Sequence, residues 1–230
     1  MKDTTLSFRK STIPMDSLSA AYSKVFNEDA SFQREYLEDR TAMYAAVLGI
    51  LRGLGARSFV DVGCAFGLLV EMGNQAGLDA WGADFSIERL KAHHAALPGS
   101  KGKFVYGDID NEPAAVAAIA GHRPDAAVAL DVMRNLEHPE NLDRLGARHL
   151  VIKEVSDNWY VRLKRKEMKR IPDVRLYSPD DCLDIFPGHG AHSIYPARLL
   201  FRISRPGKFW LWLVNQLSPT YTLVLEKRQG

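Results

Sequence analysis

Between residues 58 and 156 the chain alternates between short β-type runs and stretches with helical spacing, and this alternation limits the possible folds more than any other feature. The runs are SFVDVG (58–63), AWGADF (80–85), KFVYGD (103–108), AAVALDVM (126–133) and HLVIKEVS (149–156). Helical segments near 68–76, from Ser86, near 112–120 and near 139–145 separate them. Strands separated by helices pair in parallel through right-handed crossovers, which predicts an α/β, doubly wound sheet. Ahead of it, residues 16–52 read as helical, with Tyr36, Leu37, Met43, Tyr44, Val47, Leu48 and Leu51 at spacings of three and four before Gly53 and Gly55.

The last third has a different rhythm. A basic stretch, RLKRKEMKR (162–170), is followed by a helix capped at Ser178 (SPDDCLDIF), a strand around 191–199, an apolar helix-like insert near 208–217 and a final strand, YTLVLEK (221–227). A sixth and a seventh strand would thus complete the sheet edge. No linker-like tract divides the 230 residues, and a 46% hydrophobic content supplies a core, so one domain over 1–230 is expected.

Charge and cysteine usage exclude several classes. A net charge of +2 provides no surface-wide field for a polyanion, which argues against a general nucleic-acid binder. Cys64 and Cys182 form no CxxC pair and no zinc-ligand spacing, so no metal site is expected and a reducing compartment fits. The opening MKDTTLSFRKSTIPM has no apolar signal region, and the longest strongly apolar run, Phe209 to Val214, falls far short of the ~20 residues of a membrane span. The expected location is the cytoplasm.

In an open α/β sheet, ligands bind beyond the carboxyl ends of the strands. After the first strand come Asp61, Val62, Gly63, Cys64, Ala65, Phe66 and Gly67, where small residues permit a tight turn and the next helix start offers free N–H groups. Asp84 ends the second strand, 23 residues beyond Asp61, where a carboxylate suits the two hydroxyls of a ribose. Asp108 and Ile109 follow the third strand, as an acceptor for an adenine edge beside an apolar contact, and Asp131 follows the fourth. Each aspartate alone reads equally well as a cap or turn former. Four at one sheet edge point to a nucleoside-like ligand. The turn lacks the G-x-G-x-x-G of dinucleotide binders, and no P-loop is present.

The segment DVGCAFGLLVEMGNQAGLDAWGADFS resembles the cofactor half of class I S-adenosylmethionine (SAM)-dependent methyltransferases, in particular the type 11/23 group that includes ubiquinone-biosynthesis methyltransferases. The resemblance covers residues 40–156 well and the rest in outline. It implies a Rossmann-like, seven-stranded, mostly parallel sheet with an antiparallel last strand, divided into a helical cap (1–52), a SAM-binding half (53–156) and acceptor-side elements (157–230). By the same resemblance Asp61, Gly63 and Gly67 surround the methionine part of SAM, Cys64 and Ala65 belong to the same cofactor-binding turn, Asp84 holds the ribose and Phe85 packs on the adenine. Asp108 and Ile109 would flank the adenine edge, and Asp131 would lie near the sulfonium.

Two departures stand out. Ala65 occupies the middle glycine of the usual Gly-x-Gly-x-Gly turn, and Asp131-Val132-Met133-Arg134-Asn135 replaces the frequent Asp-Val-Leu-Glu-His. The choice of general base is then open among His138, Asp131 and Glu154. The expected activity is methyl transfer to a small molecule, such as a hydroxyl of a lipid-like, polyketide or glycan-linked metabolite. An RNA methyltransferase and a non-catalytic SAM-binding partner protein are the alternatives. The basic stretch 162–170 is either a solvated face or a site for an anionic acceptor or membrane. Residues 205–214, with Phe-Trp-Leu-Trp-Leu at 209–213, suit core packing, a homodimer contact, an acceptor pocket or a peripheral lipid contact. Tyr22, Phe26 and Tyr36 are expected in the core, and His93, His94, His189 and His192 have no catalytic assignment.

Overall fold

Every residue of AAVAL, Ala126–Leu130, is buried, which requires a strand covered on both faces and places it at the middle of the sheet. The computed structural model describes residues 30–96, 103–158, 161, 175–196 and 202–228, without the side chains of 30–36 and 93–96. Tyr22, Phe26, the side chains of Tyr36, His93 and His94, and the basic stretch 162–170 lie outside the described residues. The chain runs α1 (Ala30–Gly53), β1 (Ser58–Val62), α2 (Leu68–Gln75), β2 (Asp79–Asp84), α3 (Ile87–Ala96), β3 (Lys103–Tyr106), α4 (Pro113–Gly121) and β4 (Ala126–Leu130). Two 3-10 turns, Met133–Asn135 and Pro139–Leu145, lead to β5 (His149–Val155), α5 (Pro179–Ile185), β6 (His189–Pro196), β7 (Ile203–Ser204), α6 (Lys208–Leu217) and β8 (Thr220–Lys227).

The strands form one sheet in the order β3-β2-β1-β4-β5-β8-β6-β7. The first five are parallel, and β8 runs antiparallel between β5 and β6. Alternate side chains of each strand serve two separate cores. Phe59, Val128, Val151 and Val224 pack with α1 and α2, whereas Val60, Ala127, Leu150, Ile152 and Leu223 pack with α4, the second 3-10 turn, α5 and α6. The cap expected at Ser178 is present, and it forms a capping box: the Ser178 hydroxyl accepts from the Asp181 N–H while the Asp181 carboxylate accepts from the Ser178 N–H.

Three expectations are revised. The sheet has eight strands instead of seven, because Ile203–Ser204 adds a two-residue edge strand to β6, too short to show an alternating pattern. The fourth strand stops at Leu130 and not at 133, because Asp131 turns to φ +60 and leaves the sheet direction. The segment 139–145 is a 3-10 turn ended by Gly146 at φ +74.

Helix α2 lies so close to β1 that a Cβ on Gly73 would stand 2.6 Å from the Phe59 ring and 2.9 Å from the Ala80 Cβ. Glycine is therefore required for the packing of this helix, although it disfavours helix by about 1 kcal/mol. Gly73→Ala is expected to lower stability by about 1–2 kcal/mol, because overpacking outweighs the gain in propensity. Gly121→Ala, which meets nothing within 4 Å, should be neutral or stabilising by up to ~1 kcal/mol. Denaturant midpoints of the two variants check the pair.

Candidate functional site

Strand order reverses between β1 and β4, and there the turns that leave the two strands touch. A Cβ on Gly63 would fall 2.5 Å from Cγ2 of Val132, so only glycine lets the turn after β1 pass the turn after β4. The β1 turn is built from three residues with positive φ, namely Gly63 (+68), Ala65 (+50) and Gly67 (+68). The departure noted at Ala65 thus places an alanine where left-handed backbone disfavours a Cβ by roughly 1–2 kcal/mol. The Ala65 N–H compensates by donating to Oδ2 of Asp84 at 2.9 Å.

Asp61 and Asp84 are both buried at this crossing, on neighbouring strands. Burial, reinforced by the negative charge of Asp84 and only partly opposed by Arg40, pushes the Asp61 carboxyl up to about 8. Asp84 is fixed differently: Oδ2 takes the Ala65 N–H, Oδ1 takes the Ser86 N–H at 2.8 Å, and Arg89 lies 3.8 Å away. Each oxygen keeps a lone pair for a ligand hydroxyl. Cys64 is buried, and its thiol is pushed well above the ordinary range by burial and by the two aspartates. It therefore fills space against Gly82 and is no nucleophile.

Outward from this pair, Phe85 leaves 66% of its surface exposed, with the Arg89 guanidinium 5.9 Å from its ring centre. Tyr106, in register with Asp84, is also exposed. Asp108 accepts from Asn111 Nδ2 and from the Asp110 N–H, each at 2.8 Å, and these bonds hold it below the usual carboxylate range. Ile109 corrects an expectation: it is buried in the core, and its carbonyl takes the Asn141 amide. The exposed apolar surface at this edge comes from Phe85, already expected there, and from Tyr106. Asp110 accepts the N–H groups of Glu137 and His138, which ties the turn after β3 to the loop after β4.

The three candidates for a base separate clearly. Asp131 is held by Lys153 at 2.7 Å, Arg40 at 2.8 Å and Arg134 at 3.3 Å. Burial alone would raise its carboxyl, but Lys153, Arg40 and Arg134 outweigh that and keep it below the usual range. Asp131 thus anchors three cations. His138 is exposed, and its ring faces Glu140 at 3.2 Å. Glu154 is buried, and its Oε1 has no hydrogen-bond partner among the described residues. Burial is the main reason its carboxyl rises to about 7, with Arg134 opposing and Asp131 adding to the rise.

Sequence reasoning missed Arg40 and Lys153. A lysine inside the apolar run HLVIKEV was the available signal, since a charge in a central strand needs a partner. His189 and His192 lie toward the amino end of β6, opposite the site. Among the described residues, no group of three or more His, Cys, Asp or Glu is placed to hold a metal ion, and no helix is long and apolar enough to cross a membrane.

No family model matches the chain, and no curated protein matches it significantly. Solved structures do. Magnesium protoporphyrin IX methyltransferase from Synechocystis PCC 6803, crystallised with S-adenosylhomocysteine, superposes with a TM-score of 0.61 at 16% identity, over 91% of this chain and 94% of that one. A TehB-like SAM-dependent methyltransferase from Corynebacterium glutamicum gives 0.54 at 17% identity, over 84% and 97%. A SAM-dependent methyltransferase from Archaeoglobus fulgidus gives 0.54 at 15%, over 84% and 99%. The fold of this chain is therefore that of the class I SAM-dependent methyltransferases, with β7 as an added edge strand.

Proposed function

We propose that this chain binds SAM at the β1/β4 crossing and transfers its methyl group to a small-molecule hydroxyl. The observation that carries the reading is the pair Asp61 and Asp84, buried at a glycine-lined turn with Asp61 lacking a sufficient counter-charge. A ligand that brings its own positive charge and a vicinal diol fits that pair. SAM supplies both, together with a methyl group made electrophilic by the sulfonium. The fold and the solved neighbours that bind SAM or S-adenosylhomocysteine support the same choice.

The chain's residues then divide the work. Asp84 takes the ribose hydroxyls, Phe85 covers the adenine and Asp108 accepts from its edge. The turn from Gly63 to Gly67 holds the methionine part, and Arg40 and Lys153, gathered on Asp131, offer positive charge toward its carboxylate. The acceptor oxygen forms its bond to the methyl carbon as the carbon–sulfur bond breaks, and its proton passes to Glu154. Alignment of the two reactants is worth roughly 7–11 kcal/mol, whereas a base adds about 3–5 kcal/mol. His138 is not required in this scheme.

Because Phe85 is largely exposed, Phe85→Ala should leave the melting temperature unchanged and weaken SAM binding about tenfold, roughly 1.4 kcal/mol. Unchanged affinity by calorimetry would remove the adenine assignment. For Glu154, the deprotonated form is the active one, so kcat should rise with pH through about 7 and then level off. Glu154→Gln should abolish that rise and lower kcat about 10²- to 10⁴-fold while SAM affinity holds. A retained rise near pH 7 in the variant, measured as S-adenosylhomocysteine release against a phenol and lipid panel, would exclude Glu154 as the base.

A further inference from the structure

The three cations that converge on Asp131 do not share it equally. Lys153 Nζ donates to both carboxylate oxygens, at 2.7 and 2.8 Å, and Arg40 donates to Oδ2 at 2.8 Å. These bonds already satisfy the carboxylate. Arg134 reaches only Oδ1, at 3.3 Å, on the oxygen that Lys153 holds more closely. Among the described residues its guanidinium meets no other acceptor, although its side chain is only 25% exposed.

A guanidinium covered to that extent normally has its donors matched, because its charge and its N–H groups lose water together. The i,i+3 ion pair with Asp131 occupies one end of the planar fork and leaves the rest of its donors for an acceptor of another kind. This is also a point at which the chain departs from the motif it resembles: Arg134 is a cation where Asp-Val-Leu-Glu-His has a carboxylate. A reversed charge at the edge of a cleft changes what the cleft admits.

We propose that the methyl acceptor is an oxyanion, whose carboxylate or phosphate group docks on Arg134 while a hydroxyl of the same molecule is methylated. The inference rests on the methyl-transfer reading and narrows its acceptor class. Arg134 stands on the 3-10 turn that follows β4, close in sequence to Val132, whose side chain abuts Gly63. It thereby neighbours the crossing at which the methyl donor is proposed. Its positive charge also acts on Glu154, whose carboxyl is raised mainly by burial and lowered by Arg134, and whose Oε1 is buried without a partner among the described residues. One cation thus serves both the donor end and the proposed base.

The anion takes no part in the exchange of bonds. The hydroxyl oxygen bonds to the methyl carbon, the carbon–sulfur bond breaks with its electron pair left on sulfur, and the hydroxyl proton passes to Glu154, while the carboxylate or phosphate keeps its charge throughout. Its function is position: the fork of an arginine matches two oxygens of such a group and fixes the orientation of the molecule that carries it. Lys153 and Arg40, drawn onto Asp131, are assigned to the cofactor's carboxylate, and Arg134 is the cation left for a second anion.

Calorimetry on the full chain saturated with S-adenosylhomocysteine tests the assignment, with benzoate, inorganic phosphate and the neutral benzamide as probes. The loaded wild type should bind benzoate or phosphate at least about tenfold more tightly than benzamide, and the tighter of the two identifies the group. Arg134→Gln should weaken that anion binding about tenfold while the melting temperature and the affinity for S-adenosylhomocysteine hold, because Lys153 and Arg40 still secure Asp131. Arg134→Lys, which keeps the charge without the fork, should recover only part of the loss. A loaded wild type that binds the anions no better than benzamide, or Arg134→Gln that binds them as wild type does, would overturn the proposal. So would a parallel loss of S-adenosylhomocysteine affinity in Arg134→Gln, because Arg134 would then hold the cofactor's carboxylate. Wild type that fails to bind S-adenosylhomocysteine at all is a separate result, which would strike the methyl-transfer reading and the inference with it.

Discussion

A carboxyl group covered on every side, with a second carboxylate on the adjacent strand, is unstable as an anion unless a cation joins it. Asp61 is in that position, and Arg40 only partly relieves it. In the ligand-free protein the group resolves the conflict by holding its proton to about pH 8. The surrounding turn is shaped by the same crossing: Gly63 must lack a side chain because Val132 is in the way, and Ala65 accepts a disfavoured backbone angle while its N–H is fixed by Asp84. A strained turn beside a neutral carboxyl that an added cation would ionise suits a binding site for a cationic ligand.

On the far side of the crossing the balance is reversed. Asp131 is supplied with three cations, more than one carboxylate needs. The site thus has a deficit of positive charge at Asp61 and a surplus around Asp131, a polarity that suits a zwitterionic amino-acid group lying across both. The same surplus lowers the proton affinity of Asp131, whereas that of Glu154, the proposed base, is raised mainly by burial.

The parallel half of the fold was legible because each strand ends on a turn-forming or acidic residue and each helix has an apolar period. The aspartates at 61, 84, 108 and 131 marked the edge that matters. The sequence did not show that Ile109 turns inward, since an apolar residue after a strand reads the same whether it faces a ligand or the core. It did not show Arg40 either, because its meeting with Asp131 joins residues 91 apart in the chain. The two-residue β7 escaped because its pairing depends on backbone proximity alone. The apolar insert at 208–217 was recognisable as a helix, but only burial separates its inward stripe, Leu211 and Val214, from its outward one.

The central claim is that a buried, protonated Asp61 waits for the positive charge of SAM. Calorimetric titration with SAM at about pH 7, repeated in buffers of different ionisation enthalpy, counts the protons exchanged on binding. Binding should release close to one proton, because the incoming cation lowers a carboxyl that held its proton to about 8, and the release should vanish in Asp61→Asn. Absence of SAM binding, or binding with the same heat in every buffer, would contradict the account.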